Sequence, residues 1–257
     1  MKDIAILIPL HKIEDNTFEY LDKAVESVIK NQKHYENALD TYIICTEENS
    51  KIILKHFKDN EKDISGVIVN NSDKTDFCSQ INFAVNDELI KNKYEHFSIL
   101  EFDDVYTDKW FKSVKEYYYT NENVSLFLPI NVEINDIDGY YQYCNEVIWA
   151  NSFSKEIGYI DRECLEDFYG FNLTGGVFNL KDFLLVDGFD NSIKVAFNYD
   201  LLLRLTDKKL SVYVVPKEGY CHLINRDNSL SKEYYETLTN DEIMEQIAMV
   251  KKKNSLK

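Results

Sequence analysis

Phe97-Ser-Ile-Leu-Glu-Phe-Asp-Asp-Val-Tyr106 is the stretch on which the fold turns. Its apolar run Phe97–Phe102, centred on Ile99 and Leu100, predicts a strand buried on both faces, the pattern of a parallel sheet. The run stops at Asp103 and Asp104. In open α/β sheets ligands sit just beyond the carboxyl ends of the strands, and two adjacent carboxylates there repel each other. A divalent cation relieves that repulsion, and a cation held by one or two carboxylates commonly also holds phosphate oxygens. The stretch therefore predicts a metal–diphosphate site. A solvated turn, or the N-cap of a helix beginning near Asp108, is the structural alternative.

Outward from this stretch, strand-like and helix-like segments alternate. Ile4–Leu10, Tyr42–Cys45 and Gly66–Val69 are short apolar runs that predict three more strands. Between them, Thr17–Asn31 places Phe18, Leu21, Val25 and Val28 at helical spacing, with Asp15, Asn16 and Thr17 available as caps. Further helices are expected near Ser50–Phe57 and over Phe77–Ile90, the latter with Ile81, Val85 and Leu89 on one face. Such alternation predicts right-handed βαβ units: an α/β fold with a doubly wound, mostly parallel sheet flanked by helices. After Asp104 the pattern loosens. Ser125–Pro129 and Ser211–Val215 read as strands, Gly175–Leu180 as a turn into a strand, Tyr199–Leu205 as a short buried helix and Asp241–Lys251 as a terminal amphipathic helix. The aromatic-rich stretch Tyr140–Phe153 follows neither period. With no repeat and no low-complexity linker, a single domain is expected over residues 1–257. Its parts would be a nucleotide-binding half at 1–104, a half at 105–231 that shapes a second pocket, and a C-terminal helix and tail at 232–257.

Charge narrows the partners. The 45 acidic residues against 29 basic ones give a net charge of −16, a field that opposes nucleic acid and anionic lipid. It also repels a nucleotide diphosphate unless a metal or local basic groups intervene. The one basic cluster, Lys251–Lys257, is expected to be a solvated tail, with membrane-surface attraction as the alternative, so membrane contact is at most peripheral. Cys45, Cys78, Cys144, Cys164 and Cys221 are odd in number and lack a Cys-x-x-Cys pair, so neither zinc nor a disulfide framework is signalled and a reducing compartment is expected. The opening apolar run is too short to span a bilayer and lacks a cleavage site. A cytoplasmic protein is the expectation.

Seven segments then fall into a meaningful order: Ile6-Leu-Ile-Pro-Leu-His11, Glu26-Ser-Val-Ile-Lys-Asn-Gln32, Cys45-Thr-Glu-Glu-Asn-Ser50, Leu100-Glu-Phe-Asp-Asp104, Gly175-Gly176 with Val186-Asp-Gly-Phe-Asp190, Tyr199-Asp-Leu-Leu-Leu-Arg204, and Asn225-Arg-Asp-Asn-Ser-Leu-Ser231. In that order the chain resembles the family 2 glycosyltransferases of GT-A (nucleotide-diphospho-sugar transferase) fold, from about residue 3 to about 231. The resemblance implies a hexosyltransferase, inverting and dependent on Mn²⁺ or Mg²⁺. It would move a sugar from a nucleotide-diphosphate donor, a UDP-sugar first among them, to a hydroxyl of a glycan or glycolipid precursor. It implies that Pro9 and His11 border the nucleotide, that Glu47 and Glu48 contact its base, and that Asn82 faces the donor. Glu101 would reach the ribose or the metal. Asp103 becomes the principal metal ligand, with Asp104 beside it and His222 as a further ligand.

Departures from the family pattern sharpen two positions. Glu47 and Glu48 replace an Asp pair, and a longer carboxylate can still accept a hydrogen bond from a uracil or guanine N–H. Asn198 stands just before Tyr199-Asp200, where the family has its catalytic Asp, so Asp200 is the expected base. An amide cannot accept the acceptor's proton at neutral pH, a role that contributes typically ~10²–10⁴-fold. A donor-binding protein with little transferase activity is therefore the rival reading. A sugar nucleotidyltransferase is disfavoured, because Leu10-His-Lys-Ile-Glu-Asp-Asn16 has no Gly with which to cradle a triphosphate. Tyr140, Tyr141, Tyr143 and Trp149 are aromatic platforms for a sugar or members of the core. Gly175 and Gly176 allow either backbone approach to the acceptor or a tight turn, and Arg204 is expected to anchor a buried acid.

Overall fold

A computed structural model describes residues 1–72, 75–121, 123–135, 138–150, 153–224 and 237–255. Strand β1 (Ile4–Pro9) is buried along its whole length, and its side chains alternate between two apolar layers. Ala5 and Leu7 face the layer built around Phe97, Phe178 and Tyr199, while Ile4, Ile6 and Ile8 face the one around Val25, Phe111 and Phe127. That double burial is why the run is continuously apolar rather than alternating.

Strands β2 (Leu39–Cys45), β3 (Gly66–Val69) and β4 (His96–Ile99) join β1 in the order β3-β2-β1-β4, all parallel. The connections are α1 (Thr17–Gln32), α2 (Glu47–Asp59) and α3 (Phe77–Asn86). Thr46 caps α2 by accepting the Asn49 N–H, and Asp76 caps α3 by accepting that of Ser79 at 3.0 Å. The helix expected to reach Ile90 stops early. Asp87 adopts an extended backbone and its side chain accepts the Leu89 N–H, which starts a separate turn, α4 (Glu88–Lys91).

The second half is mixed. It comprises β5 (Val105–Tyr106), α5 (Trp110–Thr120), β6 (Val124–Asn135), β7 (Tyr141–Cys144), a 3-10 turn at Glu146–Trp149, β8 (Tyr159–Ile160), α6 (Cys164–Asp167), β9 (Val177–Asn179), α7 (Leu180–Leu185), α8 (Phe197–Asp207), β10 (Ser211–Ile224) and α9 (Asn240–Lys253). The sheet continues β4-β9-β6-β10-β5. β9 runs antiparallel to both β4 and β6, whereas β6 and β10 pair in parallel from Ser211↔Val124 to Ile224↔Asn135. Parallel pairing thus holds among β1–β4 and again between β6 and β10, with antiparallel strands stitching the two regions into one sheet. β10 outruns the expected Ser211–Val215 because register shifts around Glu218 let it pass Trp110. A Cβ at Gly219 would lie only 2.4 Å from that indole.

The described part of the basic C-terminal cluster is helical, with Lys252 and Lys253 exposed as in the solvated segment expected. Lys251, Lys252 and Lys253 close α9, a helix opened by a capping box between Thr239 and Glu242. The segment Asn225–Ser231 lies outside the described residues. No described helix is long and apolar enough to cross a membrane.

Candidate active site

The stretch that decided the fold also builds the site. Leu100 still follows the sheet, donating its N–H to Leu7 at 3.0 Å, and then the chain turns so that the Asp104 N–H reaches the Glu101 carbonyl at 3.1 Å. Glu101 and Asp104 are thereby set side by side at the carboxyl end of β4. Short β5 pairs antiparallel with β10, Tyr106 opposite Tyr220 and Val105 opposite Cys221, and this brings His222 onto the same turn. The Tyr220 hydroxyl fixes the approach by accepting the Glu101 N–H at 3.0 Å.

Ligating atoms of Glu101, Asp104 and His222 lie within 4.8 Å of one another. Asp104 is buried. One of its oxygens accepts from His222 Nδ1 at 2.7 Å and the other from the Leu223 N–H at 2.8 Å. Burial works against a charge on His222, but the Asp104 carboxylate, through its charge and hydrogen bond, overcomes it. With Glu101 and Glu133 adding to the effect, the pKa is pushed up to about 10. The cluster therefore draws positive charge. Two carboxylates and an imidazole suit a divalent first-row ion such as Mn²⁺ better than Mg²⁺, which prefers an all-oxygen shell. The carboxylate-to-imidazole contact matches the way ligating histidines are oriented by an acid. These residues fit such an ion. Asp103, the expected principal ligand, sits on the same turn but outside this group.

Glu101 and His222 open onto a cleft of about 800 Å³ that also takes in Glu133 of β6, Asn172, Thr174, Tyr169 and the first turn of α8. Asn198 lines it; Asp200 does not. Asp200 is fully buried beneath, with Oδ2 accepting from Arg204 Nε at 2.7 Å and Oδ1 from Lys253 Nζ at 2.9 Å and Asn254 Nδ2 at 3.1 Å. The expected base is thus a structural acid. Both its oxygens are taken, and Arg204 anchors it as anticipated.

Asn82 lies on α3 and does not line the cleft. Its amide donates to the Phe189 carbonyl at 2.7 Å and to Asn191 Oδ1 at 2.9 Å, while its oxygen accepts the Phe189 N–H at 2.9 Å. It braces the loop before α8. Gly188, at φ +65, is needed there because a Cβ would meet Asn82 Oδ1 at 2.4 Å. Gly175, at φ +75, likewise yields to the Tyr220 ring, so the Gly pair serves packing.

Pro9 ends β1 opposite Ile44 and His11 follows it, half-buried; Glu47 and Glu48 are exposed on the first turn of α2, directly after β2. The fold gathers these four at the carboxyl ends of the neighbouring parallel strands β1 and β2, and none of them lines the cleft. Tyr140, Tyr141 and Tyr143 are exposed at or on β7 and do not line the cleft either, while Trp149 packs on Tyr213. Sequence reasoning missed Glu133 and Tyr169. Period-2 patterning along Asn131-Val-Glu-Ile134 would have placed Glu133 on one face of β6 with Asn131, but nothing local marks Tyr169.

No protein-family model and no curated protein matches the sequence. Solved structures do. S. aureus TarS aligns with a TM-score of 0.62 at 14% identity, covering 97% of this chain and 39% of that one. TarS 1-349 in complex with UDP gives 0.61 at 14%, covering 97% and 65%. The mannosyltransferase PcManGT from Pyrobaculum calidifontis, in complex with GDP-Man and Mn²⁺, gives 0.59 at 11%, covering 98% and 74%. The chain has the GT-A fold, that of nucleotide-sugar glycosyltransferases. It spans about two fifths of the full TarS chain.

Proposed function

We propose that this chain is a metal-dependent glycosyltransferase, working in the cytoplasm, that moves a hexose or aminohexose from a nucleotide-diphosphate donor to a hydroxyl of a glycan or glycolipid precursor. The supporting observation is the Glu101–Asp104–His222 cluster at the strand ends of a GT-A sheet. A divalent ion such as Mn²⁺ bound there would supply charge stabilisation for a departing diphosphate. Glu101 and His222 would ligate it, Asp104 would orient the imidazole and add charge, and Asp103 would support them from the same turn. His11, Glu47 and Glu48, beside Pro9, hold the nucleoside, with a UDP-sugar as the first choice of donor. In a chain of net charge −16, donor affinity depends on the cation.

Asn198 favours a second reading. It occupies the cleft-facing position at the start of α8, and an amide there leaves the acceptor's proton without a carboxylate, so the chain would bind donor and transfer slowly.

Thermal melts with UDP, GDP, CDP and dTDP, each with and without Mn²⁺, test the donor site. A ligand at 100 times its Kd adds about 2.7 kcal/mol, a shift of several degrees for a chain of this size. A metal-dependent shift for one nucleotide is expected, and no shift with any of them would sink the reading. Transfer by Asn198→Asp separates the two forms: an increase of about 10²-fold or more identifies slow wild-type transfer, and an unchanged rate identifies a competent enzyme.

A further inference from the structure

The cleft lining is chemically mixed. Glu101, Glu133 and His222 make one part acidic; another is largely apolar, with Phe77 at the start of α3, Ile193 and Phe197 before and on α8, and Ile243 and Ile247 of α9, beside the polar Asp76, Asn191 and Lys194. The rings of Phe77 and Phe197 lie 5.5 Å apart, so these two apolar side chains from α3 and α8 are in contact.

Helix α9 is tied down at its middle and at its C-terminal end. Gln246 Oε1 accepts the N–H groups of Lys194 and Val195, both at 3.3 Å, which ties the middle of the helix to the cleft-lining loop before α8. Lys251 donates to the Glu166 carbonyl at 2.7 Å. Lys253 bridges Asp190 at 2.7 Å and Asp200 at 2.9 Å. A helix so anchored presents a fixed wall. Ile243 remains partly exposed on it, packed against the same core as Ile247.

We infer that α9 is the acceptor-recognition wall of the cleft, and that Ile243 and Ile247, with Phe77, Ile193 and Phe197, take an apolar group carried by the acceptor beside its reacting hydroxyl. The preferred acceptor is then an amphiphilic glycoside rather than a free sugar. This rests on the glycosyltransferase reading of the cleft. A nucleotide diphosphate is too polar for this part, and the residues suited to its base lie at the β1 and β2 ends. The acceptor is the remaining occupant of the same cleft. Each methylene covered there strengthens binding about fourfold, so two of them suffice for more than tenfold.

Methyl and octyl β-glucoside, used below the micelle concentration, are a matched pair of probes for calorimetric titration of the whole chain. Octyl glucoside is expected to bind at least ~10-fold more tightly than methyl glucoside, and Ile243→Ser to cut that preference below ~3-fold. Equal binding of the two probes, or a preference that survives Ile243→Ser, overturns the inference. An alkyl glucoside bearing a diazirine on its chain gives a readout that needs no variant: labelling within residues 240–253 is expected, and labelling confined elsewhere overturns it. The Mn²⁺–nucleotide melts are run in parallel. An alkyl preference without any nucleotide shift sinks the transferase reading while leaving an apolar site, and a nucleotide shift without the preference sinks only this inference.

Discussion

Asp200, fully buried, accepts a hydrogen bond at 2.9 Å from the partly exposed Lys253, 53 residues away in the chain. The lysine comes from a cluster that composition alone assigns to a solvated tail, and the acid from the position where a base is expected. Together with Arg204, Asn254 and Asp190 they form one tie between α8 and α9. A fully buried carboxylate is stable only when its charge is matched and its oxygens are bonded, and here the matching comes from two elements at once.

Asp200→Asn removes one side of that match and leaves Arg204 and Lys253 facing an amide. Breaking a buried pair in this way costs roughly 3–5 kcal/mol, which corresponds to a fall in Tm of about 6–20 °C for a chain of this size. The nucleotide-dependent shift is expected to persist on top of the lowered baseline. An unchanged Tm with abolished transfer would return Asp200 to the role of base.

The metal cluster makes a contrasting prediction. Glu101→Gln and His222→Ala are each expected to weaken Mn²⁺ binding, measured by electron paramagnetic resonance in the presence of nucleotide, by at least ~10-fold. Asp103→Ala should have a smaller effect, because it stands outside the group that converges on His222. The reverse ordering would move the site back to Asp103.

The contrast between Asp103 and Asp104 shows how far sequence can be read. The run Phe97–Phe102 located the strand, though β4 spans His96–Ile99 and ends three residues short of Phe102; burial on both faces leaves a local signature of unbroken apolar residues. Which of two adjacent acids turns inward depends on a turn bond from Asp104 to Glu101 and on the register of β10, more than a hundred residues away. Parallel strands β1 to β3 were legible for the same local reason, and Gly66–Val69 coincides with the expected span. Long-range partners were not legible: nothing near Asn82 announces that its amide will be consumed by the Phe189 backbone. Residues Tyr140–Phe153 resisted assignment because β7 is exposed and a 3-10 turn follows it, and neither leaves a periodic pattern.

Asn82 offers a separable test of that brace. Asn82→Ala leaves the Phe189 N–H and C=O without their partner, a loss of roughly 1–3 kcal/mol, readable as a lower urea midpoint. The Mn²⁺–nucleotide shift should keep its size, since the residue supports a loop rather than a ligand. If the midpoint holds while the shift disappears, Asn82 contacts the donor after all.

His96 predicts a pH dependence of stability independent of the active site. It is buried at the start of β4, edge-on to the Tyr118 ring at 5.5 Å, with neither ring nitrogen bonded among the described residues. Burial pulls its pKa down to about 4; Glu95 and Asp182 oppose that pull, and the N-terminus and Lys2 add to it. The unfolded chain holds the proton up to about 6.5, so between these values the unfolded state binds more protons and stability rises with pH. The histidine's contribution is complete above about pH 6.5, is lost as pH falls, and levels off below about 4, with a slope of roughly 1 kcal/mol per pH unit. Carboxylates such as Asp22 and Asp40, whose pKa values burial raises but whose bonded partners bring below the usual value, lose their contributions further into the acid range. Urea unfolding across this window is expected to show the slope in the wild type and its loss in His96→Phe, which removes the titrating ring and keeps an aromatic side chain against Tyr118. A slope that persists in the variant would assign the titration to another group.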